Sequence, residues 1–342
     1  MRRGRVVMEW VESEVLRGNP CGDPHLRRMP VYLPPSYDDQ PQRRYPVVFL
    51  LTGFTSRGRA LLNDAAWSPP IDDRMDALIE RERQAPGTGS GEMILAMPDC
   101  LTRYGGSQYL NSSAFGRYQD HLIEELVPWL DQRFRTMADR VHRGVAGKSS
   151  GGFGALVLGM RHAGTFGAIA CHSGDMGFDY CYRVDIPRFC TLLQEAGGIE
   201  KWFAAFESKV QKSKDDFLVL NLLAMAAAYS PNPRAAPFGI DLPCDLETGE
   251  FRNDVWARWL EFDPLRMVEA HTAALSSLAL LYFDCGTQDE FHLQHGARAL
   301  GRRLTELKIR HQREEFVDGH MNVTYRYEVS LPRLARALGA TP

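Results

Sequence analysis

Three side chains far apart in the chain, Ser149, Asp289 and His320, could together turn an alcohol into a nucleophile. Ser149 stands in Gly147-Lys148-Ser149-Ser150-Gly151, with glycines two residues before it and two after. At a tight turn from a strand into a helix, that spacing lets the serine take a strained backbone conformation while neighbouring chain passes close by. The hydroxyl is then exposed. The next amide, that of Ser150, points from the helix N-terminus toward an oxyanion forming on a bound acyl group. A serine hydroxyl is too weakly acidic to attack alone, so a base and an orienting carboxylate are required. Asp289 follows the apolar run that ends at Phe283-Asp284, and His320 closes Asp318-Gly319-His320 after a last short run. Asp284 is the first substitute for the acid, and Asp318 a poorer one because it is only two residues from the histidine.

Plainer readings exist for each. A glycine-rich turn can serve only to pack a helix closely on a sheet, His320 can be a loop histidine and Asp289 a solvated turn acid. Gly147-Lys148-Ser149 also resembles the end of a phosphate loop, Gly-x-x-x-x-Gly-Lys-Ser, but His142 stands where the first glycine is needed. The cysteines at 21, 100, 171, 181, 190, 244 and 285 are odd in number and contain no Cys-x-x-Cys, which predicts reduced thiols. Cys171, Cys181 and Cys190 match no common zinc spacing, and His292 and His295 have no evident third ligand, so no metal is expected.

The elements that must position these residues follow from the hydrophobic pattern. Two short strands between residues 11 and 33 suggest an antiparallel edge. The continuous apolar runs at 47–51 and 93–99 read as strands buried on both faces, with a helix at 72–83 between them and another at 118–134 after them. Residues 141–146 lead into the serine turn, and further strands fall at 166–173, 276–284 and 314–316. Alternation of this kind predicts an α/β fold with a mainly parallel central sheet and helices on both faces. Between the two strands at 166–173 and 276–284 lies a long excursion, 176–265, rich in aromatic residues and helical over 199–229. It reads as a largely helical cap insertion within one domain spanning 1–342.

Composition excludes several classes. A chain of 342 residues, 44% hydrophobic and 24% charged, has the make-up of a globular protein, and a net charge of −3 gives no footprint for nucleic acid or an anionic membrane. The start, Met1-Arg2-Arg3-Gly4-Arg5, is basic, but charges return before a signal-length apolar stretch forms, and no run reaches membrane-spanning length. The expected location is the cytoplasm.

The stretch from Gly147 through Leu156, the segment Gly286-Thr287-Gln288-Asp289 and Asp318-Gly319-His320 occur in the order Ser, Asp, His. Together they resemble the esterase D-type family of α/β-hydrolases, which includes S-formylglutathione hydrolases, feruloyl and acetyl esterases, enterochelin esterases and mycolyltransferase relatives. The likeness takes in Pro98-Asp99, Tyr109-Leu110-Asn111-Ser112 and the helix at 118–134, and runs from about Tyr32 to His320 apart from the insertion. It implies an α/β-hydrolase fold and a serine hydrolase cleaving a carboxylic ester or thioester through an acyl-enzyme. Ser149 would attack, His320 would carry the proton, and Asp289 would hold the imidazole. The backbone amides of Phe54 and Ser150 would form the oxyanion hole, and Arg103, Tyr109 and Asn111 would border the substrate. No cofactor is implied. The partner is a small-molecule ester, with no nucleic acid or membrane, and a homo-oligomer is left open. Two departures, Thr52-Gly53 for His-Gly and Lys148-Ser149-Ser150 for His-Ser-Met, leave the nucleophile intact and the substrate unassigned. An acyltransferase with the same triad and a non-catalytic binding protein on the same scaffold are the alternatives.

Overall fold

The computed structural model describes residues 3–342; Met1 and Arg2, the beginning of the basic start, lie outside them. The chain is organised on one sheet of eight strands, β1 (Arg5–Glu12), β2 (Leu26–Leu33), β3 (Val47–Leu51), β4 (Ile94–Ala96), β5 (Arg143–Lys148), β6 (Ala168–His172), β7 (Leu280–Gly286) and β8 (Gln312–Phe316). Their spatial order is β1-β2-β4-β3-β5-β6-β7-β8. β1 and β2 pair antiparallel, β2 meets β4 antiparallel, and the remaining strands run parallel. β1 begins earlier than the sequence suggests. As an edge strand it leaves Met8 and Trp10 exposed, so no buried run marks its start.

The longer helices are α1 (Ile71–Gln84), α2 (Ser150–Arg161), α3 (Ile186–Ala196), α4 (Ile199–Ser208), α5 (Lys214–Tyr229), α6 (Asn253–Leu260), α7 (Leu293–Glu306) and α8 (Tyr327–Ala337). Alternate residues of each strand face opposite layers. Phe49, Leu51, Val145 and Ile169 pack with Phe153, Leu156 and Val157 of α2 on one side. Val48, Leu50, Ala146 and Ala170 pack with Met75 and Leu78 of α1 and Leu331 and Leu334 of α8 on the other. The helix expected at 118–134 is present as Tyr118–Asp120, a π-helical turn His121–Leu126 and Val127–Arg133.

The segment between β6 and β7 carries α3 to α6. The single helical stretch expected at 199–229 is two helices, because Ser213 accepts from the amide of Asp216 while the Asp216 carboxylate accepts from that of Ser213. That reciprocal cap starts a new helix. Trp202, Phe203, Tyr229, Trp256 and Trp259 of this segment are buried, Phe203 also meeting Tyr104 and Tyr229 meeting Phe153 of α2. The expectation of seven reduced thiols is corrected in one pair. Cys190 on α3 and Cys244 are joined in a disulfide 54 residues apart in sequence, where Gln194 of α3 also bonds the carbonyl of Leu246. Cys21, Cys100, Cys171, Cys181 and Cys285 are free.

Register decides what meets at the sheet edge. Leu51 lies opposite Gly147, Lys148 opposite His172, and His172 opposite Asp284. The ends of β3, β5, β6 and β7 therefore deliver Thr52-Gly53, Ser149, Ser173 and Cys285-Gly286 to one place.

Candidate active site

Ser149 occupies the single residue between β5 and α2, with φ 58° and ψ −126°. A non-glycine residue there is strained, and the surroundings over-determine it. A Cβ on Gly147 would lie 2.3 Å from the carbonyl carbon of Gly151, and one on Gly151 would lie 2.1 Å from the carbonyl oxygen of Leu51. Both glycines are therefore needed for backbone to pass backbone. The Ser149 amide donates to the His172 carbonyl at 2.9 Å, which ties the turn to β6.

Ser149 Oγ lies 2.9 Å from Nε2 of His320, and Nδ1 of His320 lies 2.8 Å from Oδ2 of Asp289. With the Nδ1 proton donated to the carboxylate, Nε2 is left to accept from the serine hydroxyl. Asp289 and His320 are both buried. The other oxygen of Asp289, Oδ1, accepts from the Phe291 amide at 2.9 Å, and the Phe291 ring meets the His320 ring edge-on at a centroid distance of 4.7 Å. Glu290, which sequence reasoning missed, accepts from the His320 amide through Oε2 at 2.6 Å. The only signal for it was its place beside Asp289. A Cβ on Gly319 would stand 2.7 Å from Glu290 Oε1, so the glycine is what lets this carboxylate reach the histidine backbone.

Beside Ser149 is a cavity of about 130 Å³. Phe54 and Ser150, the two expected oxyanion donors, line it together with His320. Phe217, Asn221 and Tyr182 from the β6–β7 segment also reach it. The three expected substrate contacts do not. Arg103 pairs with Glu207 at 2.7 Å and lines a separate surface groove. Asn111 is exposed and bonded to Asp120 at 2.7 Å. Tyr109 is buried, with its hydroxyl donating to the Thr52 carbonyl at 2.6 Å, so it braces the loop carrying Phe54 instead of facing substrate.

Asp284, the substitute acid, faces away from Ser149. Its Oδ1 meets His172 Nδ1 at 2.8 Å and its Oδ2 accepts from Tyr282 and Arg326 at 2.7 and 2.8 Å. Burial raises its pKa, but His172, Tyr282 and Arg326 outweigh that and hold it below the ordinary carboxylate range. His172 and Ser173 are buried, whereas Asp175, two residues on, lines the cavity.

A family model described as "Putative esterase" matches residues 25–336. A curated esterase from Mycobacterium tuberculosis is 39% identical over 160 residues, 43% of this chain and 34% of that protein. An endo-1,4-beta-xylanase/feruloyl esterase from Xylanibacter ruminicola is 30% identical over 151 residues, 42% of this chain and 19% of that protein. The match thus spans about a third or less of the length of these curated relatives. Among solved structures, a ferulic acid esterase superposes with a TM-score of 0.64 at 19% identity, covering 98% of this chain and 100% of that one. An S-formylglutathione hydrolase from Agrobacterium tumefaciens gives 0.56 at 16% identity, covering 99% and 97%. At these identities the structures speak to the fold, which is that of the α/β-hydrolases.

Proposed function

The chain belongs to the esterase family matched over residues 25–336, and on that premise we propose that it is a serine hydrolase cleaving a small-molecule carboxylic ester. The observation that carries the reading is the unbroken chain of contacts from Ser149 Oγ to His320 to Asp289, at 2.9 and 2.8 Å, opening on a cavity. Ser149 Oγ forms a bond to the acyl carbon while its proton passes to Nε2 of His320. The carbonyl oxygen becomes an oxyanion that accepts from the amides of Phe54 and Ser150; each such donor is worth about 3 kcal/mol. When the intermediate collapses, the ester C–O bond breaks and His320 returns the proton to the leaving oxygen. Water then repeats the sequence on the acyl-enzyme, with His320 taking its proton. Asp289 holds the imidazole and stabilises its cation throughout. The segment 176–265 acts as a cap, since Phe217 and Asn221 from it close one side of the cavity.

The test is a panel of nitrophenyl esters on the wild type beside Ser149→Ala, with a serine-directed phosphonate as a second readout. Turnover lost by several orders of magnitude in the variant supports the reading. A wild type that neither turns over any ester nor takes the phosphonate refutes it and favours a binding protein. An acyltransferase uses the same residues, and esters of an added alcohol appearing in place of free acid identify it. No helix among the described residues is long and apolar enough to cross a membrane. A cytoplasmic location draws support from the five free cysteines, while the Cys190–Cys244 pair argues the other way. Thiol counting on protein from its native compartment decides it.

A further inference from the structure

The cavity beside Ser149 has a polar floor. Asp175 lies there with only 7% of its surface exposed, and both of its side-chain hydrogen bonds converge on Oδ2, which accepts from the Tyr182 hydroxyl at 2.7 Å and from Gln108 Nε2 at 3.0 Å. Oδ1 has no protein partner among the described residues. The support is built with care. Gln108 also reaches the Tyr229 hydroxyl at 3.0 Å, and its own Oε1 is buried without a partner. Gln108 and Tyr109 are consecutive residues at positive φ, 49° and 56°, a strained pair of the kind that functional sites retain. Lys148, the residue before Ser149, lines the same cavity, and its ammonium makes no ion pair or hydrogen bond among the described residues. Burial pushes the pKa of its ammonium down, against the pull of Asp289, Asp175 and Glu290.

Donor and acceptor therefore share one small space without touching each other. A ligand that covers these two groups takes them out of water, and a polar group covered without a match is costly, so whatever enters should satisfy both. A carboxylate satisfies Lys148 and is repelled by Asp175; an ammonium does the reverse. A hydroxyl accepts from one and donates to the other. The volume, about 130 Å³, is close to that of a cavity that just holds benzene, so the group is short.

We propose that Lys148 and Asp175 form a hydroxyl-recognising subsite, so that the preferred substrates are esters of short hydroxy acids. This rests on the ester-hydrolase reading. The experiment compares nitrophenyl esters in near-isosteric pairs, glycolyl against propionyl and 3-hydroxypropionyl against butyryl, with succinyl and β-alanyl esters as charged controls. Each kcat/KM is divided by the ester's own hydroxide rate. A preference for the hydroxyacyl member of about tenfold or more is expected, the factor given by a hydrogen bond to a charged group. It should fall to near one in Asp175→Ala and in Lys148→Met, with phosphonate titration reporting how much of each variant is folded. If Asp175→Ala does not fold, Lys148→Met and the wild-type ratio carry the test. A wild-type ratio near one, a charged ester as best substrate, or a preference untouched by both substitutions overturns the proposal. Turnover without hydroxyl preference overturns this inference alone, whereas no Ser149-dependent turnover on any ester overturns the hydrolase reading and takes the inference with it.

Discussion

Two buried aspartates stand five residues apart at the end of β7, and replacing each by asparagine should do different things. Asp289 touches His320 Nδ1 at 2.8 Å and Asp284 touches His172 Nδ1 at 2.8 Å, so distance alone does not tell them apart. In Asp289→Asn an amide in place of the carboxylate can present N–H to Nδ1, which favours the tautomer that cannot accept from Ser149, and it no longer stabilises the imidazolium. A loss of about 10³ to 10⁴ in kcat is expected, about 4 to 5.5 kcal/mol of barrier, with KM and unfolding little changed. In Asp284→Asn the charge lost is the one facing the Arg326 guanidinium and His172, both inside the protein. Arg326 keeps its ion pair with Glu314 at 2.8 Å, so the cost is that of weakening the charged acceptor of three buried bonds, about 1 to 3 kcal/mol of stability, while kcat should stay within about tenfold. The pH dependence follows from the depressed carboxyl of Asp284. A group whose folded pKa is lowered stabilises fully above its unfolded pKa, about 3.9, and the contribution is lost as pH falls through the folded value. The stability gap between wild type and Asp284→Asn should therefore be full at neutral pH and close toward acid. Urea unfolding at several pH values and steady-state kinetics at neutral pH give both readouts. A well-folded Asp284→Asn that loses as much kcat as Asp289→Asn would refute the assignment of the acid.

Three further outcomes follow from contacts around the same site. Gly151→Ala places a Cβ against the Leu51 carbonyl, with backbone on both sides, so destabilisation at the upper end of about 1 to 3 kcal/mol or failure to fold is expected in thermal unfolding. Glu290→Ala removes the acceptor of the His320 amide, and kcat should fall about tenfold with a slower phosphonate reaction; unchanged kcat would count against a positioning role. Tyr109→Phe deletes the bond to the Thr52 carbonyl, costing about 1 kcal/mol in unfolding and lowering kcat more than it raises KM, because the loop it braces carries the Phe54 amide.

Much of this architecture was legible because burial leaves a mark on sequence. Val47–Leu51 is apolar at every position and is covered on both faces, and the glycines around Ser149 are demanded by approaches near 2 Å that no side chain could survive. What escaped was whatever depends on where a loop aims. The family resemblance implies Arg103, Tyr109 and Asn111 at the substrate, yet positive φ at Gly105, Gln108 and Tyr109 turns the chain so that Tyr109 points into the core and Gln108 supports Asp175. Polar residues in such loops carry no periodicity from which their direction can be read. The Cys190–Cys244 pair was hidden for a similar reason, since packing within the β6–β7 segment brings together residues 54 apart.

The structure also holds a second Ser-His-Asp set. Ser330 Oγ lies 2.8 Å from Nε2 of His172, whose Nδ1 lies 2.8 Å from Asp284, distances that match those of Ser149, His320 and Asp289 within 0.1 Å. Residue types and distances alone thus do not tell the two sets apart. Ser330 lies inside α8, wholly buried against the sheet. Asp284 spends its charge on Arg326 as well as on His172, so it has less to offer an imidazolium. Ser149 differs on each count: its backbone is forced to φ 58° between glycines, its hydroxyl opens on a cavity, and an amide at the start of α2 stands beside it. The buried set joins the ends of β6 and β7 to α8, and Arg326 sits six residues beyond His320. A phosphonate should accordingly label Ser149 and leave Ser330 untouched, and Ser330→Ala should lower stability by about 1 kcal/mol without removing activity.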